Sequence, residues 1–481
     1  MSGRTSLAAR LRYGPPELAD RAPGPNGLPL VGSALDVQRD TLGFFRQGYS
    51  YGDVWSFTVP RGLRDTMLVH VVLKPEHAEY VLKTNATNYR KSAAYRRLGH
   101  IVGEGLVTSE GEFWRRQRRL AQPAYHHRRL ASLAETITGA TERMLKERWR
   151  PAADRGEAVD VAEEMRRLAL EIVGRAMLSV DLNDEASEVS WAVDEFLAYA
   201  DRHIRRLYSP PPSVPTPANL RFRRAGRAMD DLIYGIIRER RASGEDRGDL
   251  ISMLLLACDE ETGEGLSDLQ VRDEVMTTLV AGHETTAAAL AWAIWLLATN
   301  PENDRRMRSE VGEVLAGRTA GAEDVGRDGG LMYTKRVFEE TLRVYPPAWM
   351  IARIANEEDE IAGYRIPKDS RIAVSPYLVH RNPAVWPAPA RFDPDRFSPE
   401  RSEGRHRFAH IPFGGGPRGC IGVNLARMEG PLVLATLAQG CRLSPDRSAQ
   451  VVPKAGVTLR PAPAMPMLPS FSSGMTERMR S

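Results

Sequence analysis

The sequence predicts a mainly α-helical protein with a small β-rich subdomain, and three observations carry that expectation. From about Glu112 to Leu315 the apolar spacing is helical, broken at Ser209–Asn219. From about Thr41 to Thr84, short β-branched runs (Val54 to Val59, Met67 to Val72) mix with helical patches. Between Pro346 and Pro417 prolines recur and strands are short, and a helix follows from about Val423 to Gln439.

In chain order, residues 1–40 read as a Pro/Gly-rich lead-in and 41–468 as one domain; 469–481 read as a disordered tail. The string Ser209–Asn219 holds so many prolines that a helix is forbidden there, so a loop and a candidate lid are expected. Residues 271–298 form a long helix, apolar nearly all round in its second half and therefore buried.

With 481 residues, 42% of them hydrophobic, the core is large enough to enclose a cofactor. Lys plus Arg number 66 and Asp plus Glu 62, a balance that makes no case for nucleic-acid binding. The three cysteines, Cys258, Cys420 and Cys441, form no CxxC pair, which argues against a disulfide framework and for a reducing compartment. Residues 1–32 contain no long apolar run, so neither a secretory segment nor a membrane anchor is expected and the cytoplasm is the expected address.

The strongest local signal is Phe413-Gly-Gly-Gly-Pro-Arg-Gly-Cys420-Ile-Gly422, a single cysteine among five glycines at the opening of a helix. A helix N-terminus favours thiolate, and glycines let backbone N–H groups approach sulfur. The long helix adds Gly282, His283, Glu284, Thr285 and Thr286 in its middle, although a mid-helix glycine costs about 1 kcal/mol and a buried unpaired carboxylate more. Helical spacing puts Thr278, Ala281, Gly282 and Thr285 on one face, with His283 turned away. Glu340 and Arg343 stand at i, i+3 on a helix and face each other.

Taken together these strings resemble the cytochrome P450 superfamily, and the resemblance runs from residues 23–32 to the segment around Pro461–Pro469. It implies the cytochrome P450 fold, haem b (iron protoporphyrin IX) as cofactor and Cys420 as axial ligand to the iron. It implies that Phe413 packs on the proximal haem face, with Gly422 in the same loop, and that Arg418, Trp114, Arg118 and Arg353 meet the haem propionates. Ala281 and Gly282 would border the haem, and Thr285 and Glu284 would be the alcohol and acid that relay protons to bound dioxygen. Glu340, Arg343 and Arg396 would form the structural triad that braces the cysteine loop.

The activity implied is monooxygenation, most simply hydroxylation, of a medium-sized apolar molecule such as a terpenoid, polyketide or fatty acyl chain in secondary metabolism. The implied partners are dioxygen and a separate electron donor, a ferredoxin with its NAD(P)H reductase, and a monomer is expected. Arg115, Arg116, Arg119, Arg128 and Arg129 would offer that donor a basic face, with a plain solvated surface as the alternative. Two other functions stay open: a peroxide-driven peroxygenase, and a haem-binding sensor or accessory protein without turnover.

Overall fold

Side-chain caps or an N-terminal proline start several of the long helices, at Asp160, at Thr216 with Pro217 and at Ser267. The computed structural model describes residues 21–60, 66–126, 130–179, 186–205, 212–259, 263–326 and 328–471. The helices that shape the site are α1 (Ala93–Val102), α2 (Gly111–Ala121), α3 (Val161–Leu178), α4 (Ala186–Arg205), α5 (Pro217–Ser243), α6 (Asp268–Thr299), α7 (Met332–Val344) and α8 (Val423–Ala438). The long central α6 opens on a capping box in which Ser267 accepts from the Gln270 N–H and Gln270 reaches back to the Ser267 N–H.

The proline-rich stretch ends earlier than its composition suggests. Thr216 accepts from the Asn219 N–H (3.2 Å) and Pro217 takes the first helical position, where a missing N–H costs nothing. The loop therefore stops at Thr216, and Pro217–Asn219 open α5; residues 206–211 lie outside the described residues.

A five-stranded sheet forms the β-rich subdomain. Its strands are β1 (Val54–Pro60), β2 (Thr66–Val72), β3 (Tyr89–Lys91), β4 (Ile351–Ala355) and β5 (Arg371–Val374), in the order β1-β2-β5-β4-β3. The pair β2–β5 is parallel and the other pairs are antiparallel, with Lys91 registered opposite Arg353. At the C-terminus, Pro466–Phe471 pairs with Cys441–Pro445. That strand takes the first three residues of the segment expected to be a tail, because Pro469, Ser470 and Phe471 find partners in Leu443, Arg442 and Cys441. Residues 472–481 and the first 20 of the lead-in lie outside the described residues.

The main core is helical. Trp292 and Leu290 of α6, Leu168 and Ile172 of α3 and Leu432 of α8 all have less than 1% of their surface exposed. Helix α6 thus runs through the interior with α3 against it, and its middle is where polar groups stand out. No helix among the described residues is long and apolar enough to cross a membrane.

Candidate active site

The cysteine loop folds back on itself before α8 begins. The Cys420 N–H donates to the Phe413 carbonyl (2.9 Å), and the Gly419 N–H donates to Gly416 (3.1 Å). Gly416 is left-handed (φ +67°), and a Cβ there would stand 1.9 Å from the Leu82 carbonyl oxygen, so only glycine lets the loop sit this close. The Gly422 N–H donates to the sulfur, and the Arg118 guanidinium donates to the Gly419 carbonyl (3.0 Å).

The helix-start argument predicts a lowered thiol pKa, and the structure reverses it. Burial pushes the Cys420 thiol above its usual range, and it outweighs the Gly422 N–H and the Arg118 charge, which pull the other way. The side chain nevertheless has open surface. Both facts hold for a sulfur that is walled by protein yet faces an internal cavity. Such a thiol is poised to be deprotonated by a metal that it binds.

Beside the cysteine loop lies a cluster of cations. Arg418 pairs with Glu110, donates to the Tyr89 carbonyl (3.0 Å) and lies 5.7 Å from the centre of the Trp114 ring. Arg353 is only 7% exposed; one of its N–H groups donates to the Ala352 carbonyl (3.2 Å), which leaves guanidinium donors to spare. Lys91 is buried beside both arginines, with Glu110 and the more distant Glu274 as the acids that counter them. Trp114, Arg118, Arg353 and Arg418 are thus gathered around the cysteine loop and the strand pair beside it. A soft sulfur donor and an excess of buried guanidinium suit a metal macrocycle that carries carboxylates.

Helix α6 supplies the opposite wall. Ala281 is exposed and Thr285 half-buried within a helix whose flanks are buried, so both face a cavity. The Thr285 hydroxyl donates to the Ala281 carbonyl (2.6 Å). Tyr125, within electrostatic range of Cys420, reaches Thr278 on the same face (2.9 Å) and so links the two walls. Gly282, half-buried beside Ala281, lies at the α3 side of the helix: a Cβ there would meet Val173 of α3 at 3.5 Å, an ordinary contact distance. His283 is buried and meets the Arg166 carbonyl (2.9 Å), away from the cavity as its spacing implies.

Glu284 is buried and turns from Thr285 toward three partners from distant segments. Thr458 donates to it (3.1 Å), and Arg460 (3.8 Å) and Arg166 (3.9 Å) flank it. Burial raises its pKa, and the two arginines and Thr458 oppose that shift.

Behind the cysteine loop, Glu340 and Arg343 are fully buried. Arg343 uses all five of its N–H donors: two on Glu340 (2.7 and 2.8 Å), and one each on the carbonyls of His380, Pro389 and Arg391. Arg396 stands 3.4 Å from Glu340, whose carboxylate also accepts from the Asp393 N–H (2.8 Å).

The basic face of α2 is less free than its sequence suggests. Arg119 (2.7 Å) and Arg116 (3.6 Å) both pair with Asp259, whose carboxylate is fully buried, and Arg115 pairs with Glu112. Arg128 and Arg129 lie outside the described residues. Beside α2 runs an open cleft of about 810 Å³ whose lining includes Trp114, Arg115, Arg118, Arg119, Gln122 and His126. The sequence motifs do not reach Tyr125, Arg166, Arg460, Lys91 or Glu274, because none of these belongs to a contiguous string.

Comparison with known proteins agrees with this geometry. The cytochrome P450 family profile matches residues 22–467. The chain is 38% identical over 443 residues to a cyclooctatin synthase of Streptomyces melanosporofaciens, covering 91% of this chain and 93% of that one. It is 33% identical over 449 residues to a pentalenene oxygenase of Streptomyces avermitilis, covering 92% and 95%. The crystal structure of the cytochrome P450DA haem domain superposes with a TM-score of 0.82 at 26% identity, covering 95% of this chain and 98% of that one. With its fold, its cysteine loop and these relatives in agreement, the chain belongs to the cytochrome P450 superfamily and is an oxidoreductase of the monooxygenase type.

Proposed function

We propose that the chain is a haem b monooxygenase that hydroxylates a terpenoid hydrocarbon or lightly oxidised terpenoid in secondary metabolism. The observation that carries this reading is Cys420, enclosed by protein, open to a cavity, contacted by the Gly422 N–H and with the Arg118 guanidinium in electrostatic range. When bound, the haem supplies dioxygen activation with a thiolate donor. Cys420 would be the thiolate ligand to the haem iron, and Gly422 would tune the sulfur by hydrogen bonding. Phe413 would pack beside the cysteine, and Trp114, Arg118, Arg353 and Arg418 would hold the haem carboxylates.

On the other wall, Ala281 and Gly282 keep the helix slim and Thr285 offers its hydroxyl to the oxygen site. Glu284 acts as the acid that resupplies Thr285, and to do so it must turn away from Thr458, Arg460 and Arg166. The cavity face of α6 carries hydroxyls that already have partners, Thr278 with Tyr125 and Thr285 with Ala281, which favours an apolar substrate. One relative is named a pentalenene oxygenase and another a cyclooctatin synthase, and those names support the substrate class.

Electrons come from a separate ferredoxin that docks at the cleft beside Trp114 and Arg115. Arg119 lines the same cleft, half-exposed and paired with Asp259, whereas Arg116 is more enclosed between Asp259 and Glu264. The sparse, unpaired cysteines favour the cytoplasm.

The test is spectroscopic. Ferric protein is titrated with pooled terpene hydrocarbons, polyketide intermediates and fatty acids, and the Soret band is recorded. A saturable high-spin shift with the terpene pool alone is expected; a shift with fatty acids instead overturns the substrate class. Cys420→Ala should lose the red-shifted ferrous carbonyl band, and its retention would refute the ligand assignment.

A further inference from the structure

A second set of buried charges, apart from the catalytic pair, fixes the loop between α1 and α2. Lys91, at the end of β3, is 8% exposed, and its ammonium donates to the carbonyls of Leu106 (2.9 Å) and Ser109 (2.7 Å). From the other side α6 presents two consecutive acids. Asp273 accepts from the Glu104 N–H (2.7 Å). Glu274, 2% exposed, accepts from the Leu106 N–H (3.3 Å) and from the Gln117 amide (3.0 Å), which also donates to the Glu104 carbonyl (3.1 Å).

The loop lies flat on α6. Gly103 is left-handed (φ +71°), and a Cβ there would stand 2.1 Å from the Asp273 carboxylate; one on Gly105 would stand 2.1 Å from the Thr277 hydroxyl. The contact falls about one to two helical turns before Ala281 and about two to three before Thr285, so the loop borders the cavity that those residues face. Burying an ammonium and a carboxylate is unfavourable unless their hydrogen-bonding capacity is used, and here it is used on the loop's backbone. Burial brings the Lys91 ammonium down to about 7 and the Glu274 carboxyl up to about 7, so both hold their charge only marginally at neutral pH.

We infer that Lys91 and Glu274 are positioning residues that clasp residues 103–109 as a wall of the distal cavity and thereby set how fast an apolar ligand is admitted. The inference rests on the active-site reading above. Lys91 also connects that wall to the cation cluster: it is registered opposite Arg353, and its backbone N–H donates to Glu110 (2.5 Å), the partner of Arg418. The clasp is therefore continuous with the side chains proposed to hold the cofactor's carboxylate edge.

The test uses haem-loaded protein and 4-phenylimidazole, a probe that binds ferric haem on the distal side whatever the natural substrate. Lys91→Met and Glu274→Gln should raise deuterium exchange of the 104–109 amides about tenfold and speed 4-phenylimidazole association several-fold. Lys91→Arg should restore most of the wild-type behaviour. The ferrous carbonyl band should stay where it is in all variants. Wild-type exchange and association rates in both Lys91→Met and Glu274→Gln would overturn the clasp. A lost carbonyl band in Lys91→Met would overturn it too, since Lys91 would then act on the cofactor and not on the loop. A wild-type protein that lacks the thiolate carbonyl band would instead refute the active-site reading.

Discussion

Glu429 offers a sharp test of the energetics. It sits on α8 at 1% exposure, its Oε1 has no hydrogen-bond partner among the described residues, and burial alone pushes its pKa up to about 8 from an ordinary 4.5. An acid with a raised folded pKa binds its proton more tightly in the folded state. Between pH 4.5 and about 8 the folded chain therefore carries one proton more than the unfolded chain at this site. Stability is complete below pH 4.5, falls by about 1.4 kcal/mol per pH unit through the window, and levels off above it. The total loss is on the order of 5 kcal/mol, most of it already present at pH 7. Glu429→Gln keeps the shape and removes the titration. Denaturant unfolding of haem-loaded wild type and variant from pH 5 to pH 9 should give a stability difference under about 1 kcal/mol at pH 5 that grows to roughly 5 kcal/mol at pH 9. A difference that stays flat with pH would refute the reasoning, because it would mean that Glu429 ionises as freely folded as unfolded.

Three other outcomes are expected. Thr285→Ala should bind substrate with an unchanged spin shift but release hydrogen peroxide in place of product, and Glu284→Gln should slow turnover by about 10²-fold with binding intact, both read from the ratio of product to NAD(P)H consumed. Arg343→Ala leaves Glu340 buried and short of its bidentate partner, which should cost about 3–5 kcal/mol in the same denaturant assay. Arg115→Glu should raise the Michaelis constant for a ferredoxin donor in a salt-dependent way, whereas Asp259→Asn should lower stability by about 1–3 kcal/mol and leave that constant alone; unchanged donor kinetics in Arg115→Glu would remove α2 from the docking face.

How much of the molecule is legible in its sequence follows the spacing of the residues concerned. The Phe413–Gly422 string is contiguous, so its chemistry can be read directly from the residues, and Glu340 with Arg343 obeys helical spacing. Arg396 comes only through the family resemblance, since 53 residues separate it from Arg343. Three features run against simple rules. The helix-start argument gives the wrong sign for the Cys420 thiol because desolvation outweighs a nearby N–H and a guanidinium. Proline density marks Ser209–Asn219 as a loop, but proline is welcome at a first helical position, so Pro217 opens α5. Gly282 reads as space over the cavity, and a Cβ there would also reach Val173 of α3 at ordinary contact distance, so its position serves two neighbours at once. Lys91 and Glu274 are invisible to pattern, because a lysine in a three-residue strand and an acid in a long helix match no motif; only the fold brings both to the backbone of one loop.

The saturated guanidinium of Arg343 has a consequence for how variants of this chain are sorted in living cells. Its three carbonyl acceptors come from residues 380, 389 and 391, so the site is complete only after some fifty residues downstream have folded back onto α7. A lesion there would surface during biosynthesis, as poor pigment yield and rapid proteolysis, before any turnover could be assayed. A screen scored on product alone would rank such a position beside Cys420 and Thr285. Normalising product to the red pigment recovered per cell would separate the residues that build the enzyme from those that run it.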